Sequence, residues 1–427
     1  MEIYVLNKNF EQVYLVDAYK SLIWANRYKD TGDCELYLPA TPEALTYLRK
    51  GYYLTRTDDD MVCRIRFIEI DTSAEDGNYL VVKGEDVKGW LDQRVVWEIT
   101  QANGNAEDFA RGLVNGALGA SADADRQIVN DDGDLVFALS DPAGFTEAIS
   151  EQVAFANVGE KIREYCRRFG WGYRVYLDDG IFYFSLYKGA DKTSEVIFST
   201  EYENLSTSSY VEDETHLGNV ALVAGEGDGS ARARGVSGSA TAADRYEVYV
   251  SAKDTSRTIT YADLTSAYPG GTISAEGGGW VYTMATVNIL IVDDNQLADL
   301  QTKYPSGQIV TVDGVDYYQI TDEIIADLPS DTPSDGDNVT LRDVIYTVYL
   351  LTSGYDALAE YGAITSFEGT IEPNVTFVYK TDYNLGDVVT VENEYGISVG
   401  ARIVEVVEVD DDNGYSVQPK FENTTEG

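Results

Sequence analysis

The stretch Arg402-Ile-Val-Glu-Val-Val-Glu-Val409, then Asp410-Asp-Asp-Asn-Gly414, then Tyr415-Ser-Val-Gln-Pro419, decides the fold class. Two runs rich in strand-forming residues flank a turn ending in Asn-Gly, a pair that supplies the positive φ angles a tight hairpin demands. The same pattern recurs along the chain. Glu2–Leu6 and Gln12–Val16 flank Asn7-Lys-Asn9, and Ile65–Ile70 and Tyr79–Val82 flank Glu75-Asp-Gly-Asn78. Tyr173–Leu177 and Ile181–Leu186 flank Asp178-Asp-Gly180. Such repetition predicts a β-rich chain.

Helices are few but well marked. Thr41-Pro42 ahead of Glu43–Lys50 places a hydroxyl cap and a first-turn proline before a short helix, and Gly51 stops it. Ala106–Leu118 carries Phe109, Leu113 and Ala117 on one face, with Gly112 and Gly116 weakening its interior. From Asn157 to Phe169, Asn157 and Glu160 resemble a capping box, and Val158, Ile162, Tyr165 and Phe169 repeat at helical spacing. The longest helix is expected over Leu341–Tyr361, capped by Thr340, striped by Leu341, Val344, Ile345, Val348, Leu351, Tyr355 and Leu358, and ended by Gly362. Polar, small-residue stretches at Ala120–Asp134, Gly225–Ala243 and Pro329–Asn338 read as loops, the second as a flexible one. Between the last two, Tyr261–Asp327 reads as a small α+β insert: strand Thr286–Val292, helix Asn295–Tyr304, then two strands around Asp313-Gly314. No repeat of 20–50 residues is visible, which argues against solenoids and propellers.

The chain has 427 residues, 31 Lys+Arg against 73 Asp+Glu, and a net charge of −42. Such acidity disfavours coating nucleic acid or anionic lipid, because phosphate would be repelled. Hydrophobic residues at 44% still indicate a folded chain, long enough for two to four domains at about 100–200 residues each. Thirty-two Tyr and only nine Pro suit half-buried strands or wet assembly surfaces. Cys34, Cys63 and Cys166 are odd in number and far apart, so they read as reduced thiols. The start, Met1-Glu-Ile-Tyr-Val-Leu-Asn-Lys8, lacks the basic and apolar regions of an export signal, and Val287–Val292 is too short to span a bilayer.

Catalytic signals are weak. Gly225-Glu-Gly-Asp-Gly229 follows an apolar run, as a phosphate-cradling loop would, but Ser230–Gly235 opens no helix and Glu226 and Asp228 repel phosphate. Asp58–Asp60, Asp131–Asp134, Asp293-Asp294 and Asp410–Asp412 lack the twelve-residue calcium pattern and read as solvated turns. His216 is the only histidine and sits in Glu212-Asp-Glu-Thr-His216, without a nucleophile nearby in sequence. The five tryptophans, Trp24, Trp90, Trp97, Trp171 and Trp280, read as core or interface packing. The expectation is therefore no catalytic residue, no cofactor and no metal: a structural or binding protein and not an enzyme.

Several blocks then resemble a known family. They are Tyr19–Tyr28, Gly32–Ala40, Val87–Trp97, Asn219–Gly227, Ser366–Gly369, Tyr383–Val391 and Asn413–Pro419. In this order they resemble the siphophage tail hub family, also called tail-associated or minor tail proteins, which is similar to the baseplate hub of contractile tails. The resemblance covers about 1–260 and 340–427 and departs at the insert near 262–339. It implies a β-rich α+β, multidomain hub with two tube-like β-barrel domains and inserted α+β domains. The implied division is a first tube-like domain at 1–97, an α+β domain at 98–205, a second tube-like domain at 206–261 and 340–427 with a long helix at 341–361, and a small insertion at 262–339. It further implies a homotrimer in the virion at the tail tip, assembled in the bacterial cytoplasm. Partners would be the distal tail or tail tube protein, the tape measure protein, and a tail fibre or receptor-binding protein, with DNA only in transit and no membrane anchor. Some relatives continue into a peptidoglycan-cleaving region; this sequence reaches Gly427 soon after the last hub strand, so that part is expected to be missing. A receptor- or glycan-binding tip protein is the alternative, and a cell-wall hydrolase or a secreted adhesin fits less well.

Overall fold

A computed structural model describes residues 1–73, 77–312, 314–371 and 376–423. It is mostly β, in several sheets. All four expected hairpins form, three of them with longer arms than the sequence suggests and the first with one arm a residue shorter. Ser398–Asp411 pairs with Gly414–Asn423, Asp59–Ser73 with Gly77–Asp86, Gly172–Asp178 with Ile181–Tyr187, and Ile3–Leu6 with Gln12–Val16. Glu75 and Asp76 of one turn, and Asp313 of the insert, lie outside the described residues.

The largest sheet has a duplicated order. In the N-terminal half, Ser21–Arg27, Asp33–Pro39, Gly77–Asp86, Asp59–Ser73 and Tyr53–Arg56 lie side by side. In the C-terminal half, Leu205–Asp213, Ile364–Ile371, Gly414–Asn423, Ser398–Asp411 and Val388–Glu392 repeat that order, all antiparallel. Even the bulges correspond: the long strand of each half shifts register, between Ile65 and Phe67 in one and between Ile403 and Glu405 in the other. The two halves join edge to edge, because Ser398–Asp411 also pairs with Ser21–Arg27, from Glu405 opposite Arg27 to Asp411 opposite Ser21.

Each half encloses its own apolar core, one around Trp24, Leu36 and Val82, the other around Phe198, Phe367 and Phe421. A third core, with Trp90, Tyr165, Trp171 and Phe182, gathers the helices Ala106–Leu118 and Val158–Phe169 on the hairpin 172–187. Both helices match their expected spans. Asn157 accepts the Glu160 N–H at 3.0 Å, and Gly170, at φ +67°, ends its helix in the left-handed region. The short helix stops early, at Pro42–Tyr47.

Everything between Asp213 and Ile364 is one excursion from a single strand connection, with a fourth core. Its sheet carries Gly279–Leu290 against Val315–Leu328, flanked by Thr272–Glu276 and Gln308–Val312, and the helix Asp294–Lys303 lies where the sequence put it. The helix Tyr261–Ala267 and the strand Thr272–Glu276 were not visible in the sequence pattern. Two expectations are corrected here. The long helix is Asp343–Leu358, and Thr340 does not cap it: Thr340 is held in a strand opposite Thr258 and Asp327, so Arg342 sits at the cap without a side-chain bond. The stretch 225–243 is not merely a flexible loop. Its Arg234–Ser237 forms a strand beside Val220–Ala224, and Ser237 Oγ donates to Leu351 O at 2.8 Å. The small residues there allow sheet and helix to approach. A Cβ on Gly354 would lie 2.2 Å from Ser237 Oγ and 2.7 Å from Val223 Cγ2. Among the described residues no helix is long and apolar enough to cross a membrane.

This close approach has a measurable consequence. Gly354→Ala should cost about 1–3 kcal/mol through overpacking. Gly112→Ala, where a Cβ meets nothing within 4 Å, should gain about 0.5–1 kcal/mol of helix propensity. Urea melts of the two variants should shift in opposite directions.

Candidate functional site

The seam between the two halves holds a cluster of buried charges. Arg56, with a side chain 0% exposed, ends the strand Tyr53–Arg56. Its guanidinium donates to Asp58 at 2.8 and 3.1 Å and to Glu408 Oε2 at 2.9 Å, while its Cζ lies 5.4 Å from the Trp24 ring. Glu408 is on the bridging strand Ser398–Asp411, opposite Trp24, and also accepts from Tyr415 Oη at 2.5 Å and Lys380 Nζ at 3.1 Å. Lys380 Nζ reaches Asp59 at 2.6 Å, and Asp59 in turn accepts from Asn26 at 2.9 Å and the Trp24 indole at 3.2 Å. At the rim, Arg27 bridges Asp33 at 2.6 Å and Glu405 at 2.8 Å, and Lys29 meets Glu422 at 2.7 Å. Burial, aided by the Glu408 carboxylate, pushes the Tyr415 hydroxyl far above its usual range, so it stays a donor.

A cleft of about 650 Å³ opens beside this cluster, between Asn26–Arg27, Asp58–Met61, Tyr173–Val175 and Tyr379–Asp387. Its cations are already matched: Lys88 with Asp86, Arg174 with Asp60, Lys188 with Glu147, Lys380 with Asp59. The positive charge on the cleft wall is thus neutralised by carboxylates of the chain itself.

A second buried cluster fixes the long helix. Lys161 lies 3.5 Å from Glu151, 3.4 Å from Asp356 and 2.7 Å from Glu164, Arg168 meets Asp356 at 2.8 Å, and Tyr165 Oη donates to Glu151. Burial pushes the Glu151 carboxyl up to about 8, with the Asp356 charge adding to the rise and Lys161 opposing it. Burial alone would raise Asp356 too, but Lys161 and Arg168 hold it below the usual carboxylate range.

The sequence motifs disperse. His216 is exposed in a turn. The glycine loop 225–229 is held by Glu226, whose carboxylate accepts the Arg257 N–H at 2.9 Å and whose own N–H donates to Tyr346 Oη. Asp293 caps the helix Asp294–Lys303. Asp58–Asp60 needs a correction at one residue: Asp58 and Asp60 are exposed as expected, but the Asp59 side chain is only 3% exposed and lies at the heart of the seam. Cys34, Cys63 and Cys166 are buried free thiols. Trp24, Trp90 and Trp171 are core, whereas Trp97 and Trp280 reach the surface. Sequence reasoning missed Arg56, Lys380 and Glu408. The signal for Glu408 was its place two residues from buried Val406 on one strand, legible only once the bulge after Ile403 is known.

A model of the family described as Siphovirus ReqiPepy6 Gp37-like protein matches residues 2–421. The chain belongs to that family. It is thus a structural protein of the siphovirus tail, as the resemblance implied, and a virion component. No curated protein matches. Solved structures similar to this family member include a tail protein from Neisseria meningitidis MC58, at 11% identity and TM-score 0.49, covering 99% of this chain and 96% of that one. Another is the prophage tail protein gp18 from Listeria monocytogenes EGD-e, at 10% and 0.48, covering 100% and 96%. A third is the 43 kDa tail protein of prophage MuSo2 from Shewanella oneidensis, at 7% and 0.48, covering 99% and 98%.

Two outcomes are expected at the clusters. Glu408→Ala leaves Arg56 buried beside one exposed partner and should cost about 3–5 kcal/mol in guanidinium melts. For Glu151, the native state keeps a proton that the unfolded chain has already released between its ordinary 4.5 and about 8. Stability should therefore fall as pH rises through that window, and Glu151→Gln should flatten the slope of Tm against pH.

Proposed function

We propose that this tail protein is the hub at the distal end of the tail. In this reading three copies close into a ring, join the tail tube or distal tail protein above to fibre or receptor-binding components below, and leave a channel for DNA, with the tape measure protein ending on it. The protein performs no catalysis; its work is mechanical. The observation that carries the reading is the duplicated sheet: one chain holds two β-units of the same strand order, locked edge to edge through Ser398–Asp411 and Ser21–Arg27. Three chains then present six such units, the number a sixfold tube requires. The buried Arg56–Glu408–Lys380–Asp59 cluster supports it as well, since it stiffens the joint between units. The charge of −42 suits a channel wall that repels passing DNA. The excursion 214–363 points away from the ring in this reading and offers a surface for tip or fibre components.

Light scattering on the full chain should give three times 47.1 kDa, and particle images should show a ring with a central hole walled by carboxylates. A compact monomer that binds host-surface glycans would favour the receptor-binding reading instead. A ring with a basic lumen would end the channel-charge argument.

A further inference from the structure

The joint between the two β-units is used once inside the chain, and both of its halves recur in the same sheet on strand edges that meet no further strand among the described residues. Within the chain, Ser398–Asp411 has Gly414–Asn423 on one edge; on the other it has Val388–Glu392, then, past the bulge, Ser21–Arg27. Its counterpart Asp59–Ser73 has Gly77–Asp86 on one edge and Tyr53–Arg56 on the other, and near its start Met61 also lies opposite Tyr176 of Gly172–Asp178. Past its own bulge, from Phe67 on, that second edge meets no strand among the described residues. Likewise Ser21–Arg27 lies between two strands, whereas in its counterpart Leu205–Asp213 the end from Ser209 to Asp213 meets, among the described residues, no strand other than Ile364–Ile371. A row of unpaired N–H and C=O groups of this kind is a template for another strand.

We propose that Phe67–Asp71 of one copy pairs antiparallel with Ser209–Asp213 of a second copy, so that the joint between copies repeats the joint within the chain. The inference rests on the ring reading above and names its interface. The register follows from the counterparts. Ile65 corresponds to Ile403 beside the bulges, and Tyr210, opposite Phe367, corresponds to Trp24, opposite Cys34. Glu405 opposite Arg27 and Glu408 opposite Trp24 then become Phe67 opposite Asp213 and Ile70 opposite Tyr210.

Side-chain chemistry agrees. Phe67 is 44% exposed, Ile70 53% and Val211 42%, three large apolar groups stranded on two open edges. In the proposed register Ile70 meets Tyr210 and Glu69 meets Val211, so the pairing covers them. Charge agrees too. Arg64 and Arg66 precede Phe67, while Glu212, Asp213 and Glu214 end the other strand, so an antiparallel pair brings basic end to acidic end. Inside the chain the same corner holds Arg27 against Glu405, with the signs exchanged between strands. Because the contact joins two different edges, it is head-to-tail: repeated by rotation it closes into a ring, and otherwise it grows a filament.

The test is a cysteine pair across the joint in the full chain. Glu69→Cys and Val211→Cys, both at exposed sites opposite each other, should on oxidation give covalent species of up to three chains. Each single variant should stay uncross-linked, since the native thiols are buried. Glu69→Cys with Ser209→Cys, two residues out of register, should cross-link at least tenfold less. In addition, Ile70→Lys should abolish assembly while leaving the far-ultraviolet spectrum of the chain unchanged, with a Tm that no longer depends on protein concentration. A threefold assembly that forms without the Glu69–Val211 cross-link overturns this joint and leaves the ring reading standing. Cross-linked species that grow beyond three chains without closing support the joint and overturn the ring. A monomer that never cross-links overturns both.

Discussion

The pairing of Ser398–Asp411 with Ser21–Arg27 is the contact on which the rest of the molecule depends. It joins residues nearly four hundred positions apart, and it makes two β-units into one continuous sheet. A long strand that carries one partner before its bulge and another after it can serve both as a unit's interior strand and as its edge. The bulge is what permits this, because it changes the strand's direction at the point where the partner changes. The side chains then secure the contact from within: Glu408 enters the joint with a charge and is met by Arg56, Lys380 and Tyr415.

A buried ion cluster of this kind adds less net stability than an apolar core of the same volume, but it is intolerant of displacement. Every member has a specific donor or acceptor, and sliding the two units by one residue would strand several of them. That property suits a mechanical joint. The second cluster, Glu151–Lys161–Asp356–Arg168, plays the same part for the long helix, tying the excursion 214–363 to the helix Val158–Phe169. The excursion is thus anchored at its base although it leaves the sheet through one connection.

Much of the local structure was legible. Hairpins announced by Asn-Gly or Asp-Gly formed, and the helices at 106–118 and 158–169 began where Asn105 and Asn157 could cap them. The errors have physical reasons. Thr340 looked like a cap, yet its backbone groups were needed in a strand ladder. The glycine- and serine-rich stretch after Val220–Ala224 looked mobile, yet small side chains are what let a strand and a helix touch. Asp58–Asp60 looked like a solvated turn because nothing local reveals that Arg56, Lys380 and Asn26 converge on it.

By itself the sequence determined what short-range chemistry can determine: a β-rich, acidic chain, its turns, its best-capped helices, and the tail family its ordered blocks resemble. Those features follow from backbone preferences and side-chain spacing within a few residues. Only the tertiary structure decided that two units share a strand order, that they fuse through one bulged strand, and that two matching edges meet no further strand among the described residues. Strand partnership is a contact between segments far apart in sequence. An edge strand and an interior strand can be written in the same residues, and only the neighbours, once in place, tell them apart.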